Sequence, residues 1–236
     1  MKHWKVLDAD AGVYSCAYEF APGAKTNAFA TRIAGGKMMV VSPPTHASDA
    51  IYDELAALGE VGAIVSNNGF HHLGLAAWKK RFPEARVFAD PLAAKRIAKK
   101  NRNAPSLEPI AELSGLLGDD VVFTAAPATK CGESWISVKT ANGHVWYVSD
   151  LLSNMEQLPP NFVVRLLFKM TGTKTGYGVF HTAMKFIVAD RKRVLRQMLD
   201  EVSERAPSTV VPAHGPILDT PDIADRTRAI LSEAIG

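Results

Sequence analysis

The chain has 236 residues, of which 47% are hydrophobic and 22% charged, a composition typical of a globular protein with a substantial buried core. No apolar stretch approaches the roughly 18 residues of a transmembrane helix, and acidic residues interrupt the N-terminal segment where a signal peptide needs its apolar run. Two cysteines, Cys16 and Cys131, imply no disulfide framework. We therefore expect one domain over residues 1–236, located in the cytoplasm and without stable membrane insertion.

The basic residues do not indicate a nucleic-acid partner. The formal net charge is only +3, and the two Lys/Arg-rich runs, at residues 93–102 and 190–197, have the apolar spacing of amphipathic helices. Neither run has interleaved aromatic residues, which a single-strand binding surface would use for base stacking. We interpret both runs as solvated helix faces and expect no nucleic-acid binding.

Taken in chain order, the first third of the sequence predicts strands followed by one helix and a further strand. Turn-forming Pro-Gly and Gly-Gly pairs separate the β-prone runs, and Pro43-Pro44 precedes the helix, which Thr45 or Ser48 can cap. The predicted strands are 12–20, 26–33, 37–42 and 61–66, and the helix is 47–58.

The rest of the sequence alternates helices and strands. A polar, turn-rich stretch at 101–119 is predicted to carry the chain round a sheet edge, and the sequence Ala-Asn-Gly at 141–143 predicts a hairpin turn. The predicted helices are 75–82, a basic helix near 93–102, 190–205 and 221–235. The predicted strands are 86–90, 120–124, 134–139, 144–149 and 209–211.

Four ligand-type side chains follow three of these predicted strands. His71 and His72 come after residues 61–66, Asp150 directly after 145–149, and His214 directly after 209–213. A side chain at the end of a buried strand is held by a rigid sheet while its tip reaches a cleft, so three such strands can direct ligands to one cation. A single histidine is more often a surface or core residue, and the repeated placement is what predicts a metal site.

These motifs resemble a known family. The order IVSNNGFHHLG, VWYVSD and STVVPAHGPIL is similar to that of the metallo-β-lactamase-like hydrolase superfamily, and the resemblance covers residues 12–218. It implies an α/β fold, a four-layer αββα sandwich of mixed sheets flanked by helices. It also implies a metal-dependent hydrolase, with a first motif HxHxDH and later motifs that supply a His, a bridging Asp and a final His.

The first motif departs from this pattern. When SNNGFHHLG is aligned with HxHxDHxG, Asn67 and Gly69 stand in place of the first two histidines. Where a later motif of the family supplies its histidine, this chain has Thr129, Lys130 or Cys131 instead. The resemblance therefore implies that the first metal site of the family is lost. It implies that the second site is retained, with the ligands His71, His72, Asp150 and His214.

Three imidazoles and one carboxylate suit one divalent transition metal, zinc in the first place, or iron or manganese in a less tetrahedral arrangement. With three ligands bound and one position open, the metal can lower the pKa of a bound water to about 7 and create a nucleophile. With all four bound, the site is structural. A third interpretation is that the site holds no metal and that His71 and His72 form a hydrogen-bonded pair.

We predict hydrolysis of a small molecule at an ester, lactone, thioester or similar acyl bond, with Asp150 as ligand and proton acceptor. Lys130, at a vacated ligand position, is a candidate to replace the missing metal charge and orient an anionic substrate group. The alternative is a catalytically degenerate member that binds a ligand or a partner, and a nuclease is disfavoured because the first site is lost. The apolar segment 158–180 is predicted to be a substrate lid or a contact in a homo-oligomer, with a core helix as the alternative.

Overall fold

The computed structural model describes residues 3–158 and 161–236. Within these residues the chain forms two large β-sheets, one two-stranded sheet and seven α-helices. None of the helices in this part of the chain is long and apolar enough to cross a membrane.

The first sheet has seven strands in chain order, so each strand pairs with its neighbours in sequence. The first four strands are antiparallel, and the fourth to seventh are parallel. The strands are β1 (Lys5–Asp8), β2 (Val13–Ala21), β3 (Ala24–Arg32), β4 (Met38–Val41), β5 (Val61–Ser66), β6 (Arg86–Ala89) and β7 (Glu108–Pro109). Parallel strands need crossover connections, and these contain α1 (Asp49–Ala56), α2 (Leu75–Arg81) and α3 (Pro91–Lys100).

The second half of the chain builds the other sheets. A two-stranded sheet pairs β11 (Leu152–Met155) with β12 (Gly176–Val179). The four-stranded sheet contains β8 (Val121–Ala125), β9 (Ser134–Thr140), β10 (Gly143–Ser149) and β13 (Pro207–Pro212), in the order β13-β10-β9-β8. The helices are α4 (Phe162–Thr171), α5 (His181–Ile187), α6 (Arg191–Glu204) and α7 (Ile223–Ile235). Because β10 and β13 are parallel, both end at the same edge of the sheet.

Alternating side chains place each sheet between two apolar layers. In β10, Val145 and Tyr147 face the other large sheet, whereas Trp146 and Val148 pack with the helices of the second half. In β4, Met39 and Val41 enter the core between the sheets, and the intervening residues pack towards α1, α2 and α3. This period of two is expected for strands that are buried on both faces. The predicted αββα sandwich is confirmed.

The structure adds elements that the sequence pattern did not predict. The predicted strands and helices are present with ends shifted by a few residues, whereas β1, β11, β12 and α5 were missed. The turn-rich stretch at 101–119 contains β7 and a 3₁₀ helix, Ile110–Leu116. Each missed α or β element has at most seven residues, too few for a hydrophobic period to stand out.

The segment 158–180 does not form a core helix. Residues 159 and 160 lie outside the described part of the chain, and α4 leaves Phe162, Val163 and Met170 exposed. One residue of this helix, Phe168, is buried, where it packs edge-to-face on Phe180. The roles predicted for this segment, a lid or a subunit contact, stay predictions.

Candidate metal site

The ends of three strands bring together His71, Asp150 and His214. Nε2 of His71 lies 3.0 Å from Oδ2 of Asp150, and Nε2 of His214 lies 3.3 Å from Oδ1 of the same carboxylate. One ligand atom from each residue lies within 4.8 Å of the others. This compact group of two imidazoles and one carboxylate has the donor types and the spacing of a divalent metal site.

Hydrogen bonds within the loop after β5 position His71. Ser66 Oγ donates to the carbonyls of Asn68 (2.8 Å) and His71 (3.0 Å). Asn68 Oδ1 in turn accepts from the backbone N–H groups of Phe70 (2.8 Å) and His71 (3.2 Å). This asparagine turn directs the ring of His71 towards Asp150.

The other two ligands are fixed by unusual backbone. Ser149, directly before Asp150, has a φ of +50°, a left-handed conformation that non-glycine residues rarely adopt. Gly215, directly after His214, has a φ of +104°, and a Cβ on it would lie 1.8 Å from the carbonyl oxygen of Asn154. Since the backbone N–H of Asn154 donates to the His214 carbonyl (2.8 Å), these two chain segments are held in close contact.

A carbonyl group selects the tautomer of His214. Nδ1 of this ring lies 3.3 Å from the carbonyl oxygen of Lys25, which can only accept a hydrogen bond. The proton of the neutral ring therefore belongs on Nδ1, and the lone pair of Nε2 points to the Asp150 side. This is the protonation state in which a histidine binds a metal through Nε2.

The charges of the three groups are strongly linked. Burial alone would raise the pKa of Asp150, but His71 and His214 hold that pKa well below its usual range. Burial works against protonation of His214, yet its interaction with Asp150 raises the pKa of that imidazole overall. Asp150 is therefore an anion at neutral pH, as a metal ligand must be.

The group fits a divalent cation. Asp150 is only 5% exposed, and among residues 3–158 and 161–236 its Oδ1 accepts no hydrogen bond of good geometry, although Nε2 of His214 lies 3.3 Å away. A buried anionic oxygen without a donor is costly. A cation between Asp150, His71 and His214 would satisfy this oxygen, and three protein ligands would leave at least one coordination position open.

The structure does not bring His72 into this group. Nδ1 of His72 lies 3.4 Å from Nδ2 of Asn101, and the described residues that gather around Asp150 do not include it. Burial, followed by the charge of Arg96, lowers the pKa of His72, which favours a neutral ring. The structure therefore brings together three of the four predicted ligands and not His72, because two successive side chains in this loop face different parts of the molecule.

Lys130 is also displaced from its predicted position. Its Nζ donates to the carbonyl of Lys185 (2.8 Å), and Lys130 is not among the residues that line the cavity over the metal group. Its backbone N–H donates to the carbonyl of Ile187 (2.7 Å), so both ends of the residue bind α5. The predicted contact between Lys130 and a substrate anion therefore has no support in the geometry.

Asn67, at a position where the motif of the resembled family has a histidine, is held by hydrogen bonds. The Asn67 side chain bonds to the hydroxyls of Ser42 and Ser149, and its Nδ2 also lies 3.3 Å from Oε1 of Glu133. Glu133 is buried, and its pKa is raised to about 8 by burial and then by the charge of Asp150. Sequence reasoning missed Glu133, and the signal available was an acidic residue at the start of an otherwise apolar strand.

An apolar cavity of about 540 Å³ opens over the three ligands. His71, Asp150 and His214 all contribute to its lining. Much of its wall is aromatic or aliphatic, from Phe20, Phe70, Leu73, Phe180, Phe186 and Ile187. A cavity of this size, with an extensive apolar wall beside the polar and charged groups, suits a small molecule with an apolar body.

Tyr18 and Arg96 are polar residues of the cavity that were not predicted from the sequence as site residues. Tyr18 lines it, and burial, with smaller contributions from Cys16 and Asp150, raises the pKa of its phenol, so that the hydroxyl stays protonated. Arg96, from α3, also lines the cavity and adds a positively charged guanidinium to its wall. Neither residue lies in a motif, and only the packing of distant segments brings them here.

Comparison with solved structures identifies the fold. The DIM-1 metallo-β-lactamase has a TM-score of 0.59 and 13% identity over 98% of both chains. A metallo-β-lactamase from Erythrobacter litoralis has a TM-score of 0.60 and 14% identity over 98% of this chain and 96% of that one. A mutant flavo di-iron protein from Thermotoga maritima has a TM-score of 0.60 and 12% identity over 97% of this chain and 60% of that one.

The chain therefore has the metallo-β-lactamase fold, as its motifs predicted. No protein-family model matches the sequence, and no curated protein matches it. At 12–14% identity the structural likeness establishes the fold alone.

Proposed function

We propose that this protein is a metal-dependent hydrolase of a small molecule, acting at an ester, lactone, thioester or similar acyl bond with one divalent metal per chain. The observation that carries the proposal is the convergence of His71, His214 and the buried Asp150 on the wall of the apolar cavity, with one ligand atom from each residue within 4.8 Å of the others. The proposed ligands are these three residues, and zinc is the first candidate metal.

A single metal is supported by the state of the vacated positions. Asn67 is engaged by Ser42, Ser149 and Glu133, and Gly69 has no side chain to offer. Glu133, the acidic residue that contacts Asn67, also accepts hydrogen bonds from Ser134 N (2.9 Å) and from Asn68 Nδ2 (3.0 Å). These groups already satisfy one another and form no second cluster of free ligands.

Bound at this group, a divalent cation would supply Lewis-acid polarisation of an acyl carbonyl and a lowered pKa for water. Asp150, ionised because of its low pKa, offers Oδ1 as a ligand and as a hydrogen-bond acceptor that orients the attacking water. That low pKa favours orientation of the water over complete proton transfer to Asp150. Tyr18 keeps its phenol proton and can donate a hydrogen bond to a substrate oxygen in the cavity.

The test is hydrolysis by chelator-treated protein before and after addition of one equivalent of zinc. The substrates are 4-nitrophenyl acetate, a γ-lactone, a thioester and a β-lactam, the last because several structural neighbours are named β-lactamases. We expect zinc-dependent turnover of at least one substrate, which Asp150→Asn abolishes. Asp200→Asn is the matched control, since Asp200 is exposed on α6.

Two outcomes would contradict the proposed hydrolase. Zinc-loaded, folded protein that turns over none of these substrates would favour the alternative, a member of the fold that binds a ligand without hydrolysis. Activity that survives in both Asp150→Asn and chelator-treated protein would contradict the proposed metal chemistry.

A further inference from the structure

Arg96 extends from α3 into the cavity over the metal group. Its neighbours on the helix, Lys95 and Lys99, are exposed, whereas Arg96 is half-buried and lines the cavity. Asp90 caps the start of this helix by accepting a hydrogen bond from Leu92 N (2.8 Å), which fixes the helix next to the site. Of these basic residues, Arg96 alone is positioned to meet a bound molecule.

Gly69 and Phe70 form the surface on which the arginine lies. A Cβ on Gly69 would come within 2.6 Å of Cδ of Arg96, so the stem of the arginine uses space that any larger residue would take. The guanidinium carbon lies 3.8 Å from the centroid of the Phe70 ring, a stacked cation–π contact. Gly69 aligns with a histidine of the motif in the resembled family, and the arginine stem occupies the space next to it that such a side chain would need.

The charge of Arg96 is not neutralised within the described part of the chain. It forms no ion pair there, and its buried Nε has no hydrogen-bond partner. The nearby carboxylates are engaged elsewhere, Asp150 with His71 and Asn68, and Glu133 with Asn68 and Ser134.

We propose that Arg96 binds a carboxylate group of the substrate, so that the hydrolysed compounds are small anionic acyl compounds with an apolar body. A guanidinium offers a planar fork of N–H donors that matches a carboxylate in a bidentate contact, and no carboxylate of the described residues forms an ion pair with that of Arg96. The aromatic wall accommodates the apolar body, while the acyl bond lies towards Asp150. This assignment rests on the proposed function and names the substrate class of the same site.

The test measures ligand binding rather than turnover, by calorimetric titration with phenylacetate and its neutral analogue phenylacetamide. We expect phenylacetate to bind the wild-type protein at least about ten-fold more tightly than phenylacetamide, because only the anion forms the charged contact. Arg96→Gln should weaken phenylacetate binding by about ten-fold or more. Lys95→Gln, an exposed position on the same helix, should leave it unchanged.

The titrations are run on chelator-treated and zinc-loaded protein, because a carboxylate can also bind a metal directly. Equal binding of phenylacetate by wild-type and Arg96→Gln protein in both states would overturn the proposal. So would equal binding of phenylacetate and phenylacetamide by the wild type, a comparison that needs no variant. Phenylphosphonate is a third probe, and binding about ten-fold tighter than that of phenylacetate would replace the carboxylate by a phosphate-type anion.

A second variant approaches the same contact from Gly69. Gly69→Ala places a methyl group against Cδ of Arg96 and should weaken phenylacetate binding while the guanidinium is retained. Zinc affinity, measured in parallel, separates the two proposals. Arg96-dependent phenylacetate binding without zinc binding would contradict the hydrolase and leave the anion site standing. Zinc-dependent hydrolysis that Arg96→Gln does not change, together with phenylacetate binding that it does not change, would support the hydrolase and contradict the anion site.

Discussion

Glu133 and Asp150 are two buried carboxyl groups that share one hydrogen-bond donor, the side-chain amide of Asn68. Nδ2 of Asn68 lies 3.0 Å from Oε2 of Glu133 and 3.0 Å from Oδ2 of Asp150. The two acids have opposite pKa shifts, since the pKa of Glu133 is raised to about 8 and that of Asp150 is well below its usual range. Near neutral pH the pair therefore carries mainly the charge of Asp150, which is the charge that a metal ligand needs.

The raised pKa of Glu133 predicts that the stability of the metal-free protein falls as pH rises. Between the ordinary value of 4.5 and about 8, the folded state keeps a proton on Glu133 that the unfolded state has released. The free energy of unfolding should thus decrease by up to about 1.4 kcal/mol per pH unit from this group. Urea denaturation of chelator-treated protein across this range measures the slope.

Glu133→Gln is the control for this pH dependence. Glutamine resembles the protonated acid in shape but cannot ionise, so the slope of the variant should be shallower by the contribution of Glu133. Parallel stability profiles for the variant and the wild type would show that Glu133 ionises normally in the folded protein.

Asn68→Ala should destabilise the protein by about 2 kcal/mol or more, because two buried carboxyl groups lose a donor at once. The loss of Oδ1 also frees the N–H groups of Phe70 and His71, so zinc affinity should decrease as well. Chemical denaturation measures the first effect and zinc titration the second. Asn142→Ala, at an exposed turn, is the comparison variant, and a similar loss in both would contradict a special role for Asn68.

Alanine substitution of each histidine should show that His71 and His214 bind the metal and that His72 does not. His71→Ala and His214→Ala are each expected to weaken zinc binding by more than about 100-fold, since each removes a direct ligand. His72→Ala should change zinc affinity by less than about ten-fold, because its ring faces Asn101. Competitive titration with a chromogenic chelator gives the three affinities. An equally large effect of His72→Ala would restore the four-ligand site.

Gly215→Ala should destabilise the fold by about 3 kcal/mol or more and reduce zinc binding, because the new methyl group meets the Asn154 backbone and the φ is unfavourable. Thermal unfolding and zinc titration measure the two effects. Gly115→Ala is the matched control, since a Cβ there meets nothing within 4 Å. Unchanged stability of Gly215→Ala would mean that the His214 loop can shift at low cost.

The sequence by itself determined most of the strands and helices, although not β1, β11, β12 and α5, and through the three motifs it determined the fold. Apolar alternation in strands such as β10, with turn residues between them, depends on local chemistry that a sequence displays directly. The positions of His71, Asp150 and His214 after predicted strands were readable for the same reason. Asp150 and His214 follow the adjacent parallel strands β10 and β13, which end at one edge of a sheet, whereas His71 follows β5 of the other large sheet, so its approach to them depends on how the two sheets pack.

Only the tertiary structure decided which side chains converge. His71 and His72 are neighbours in sequence, yet the turn built by Ser66 and Asn68 directs one ring to Asp150, and the other ring lies against Asn101. Loop rotations of this kind depend on side-chain hydrogen bonds that hydrophobic periodicity does not report. Arg96 lies on α3, outside the three motifs, and it reaches the cavity only through the packing of that helix beside the loop of Gly69 and Phe70. Glu133 meets Asn67 and Asn68 across more than sixty residues of sequence, a contact that local sequence patterns do not report.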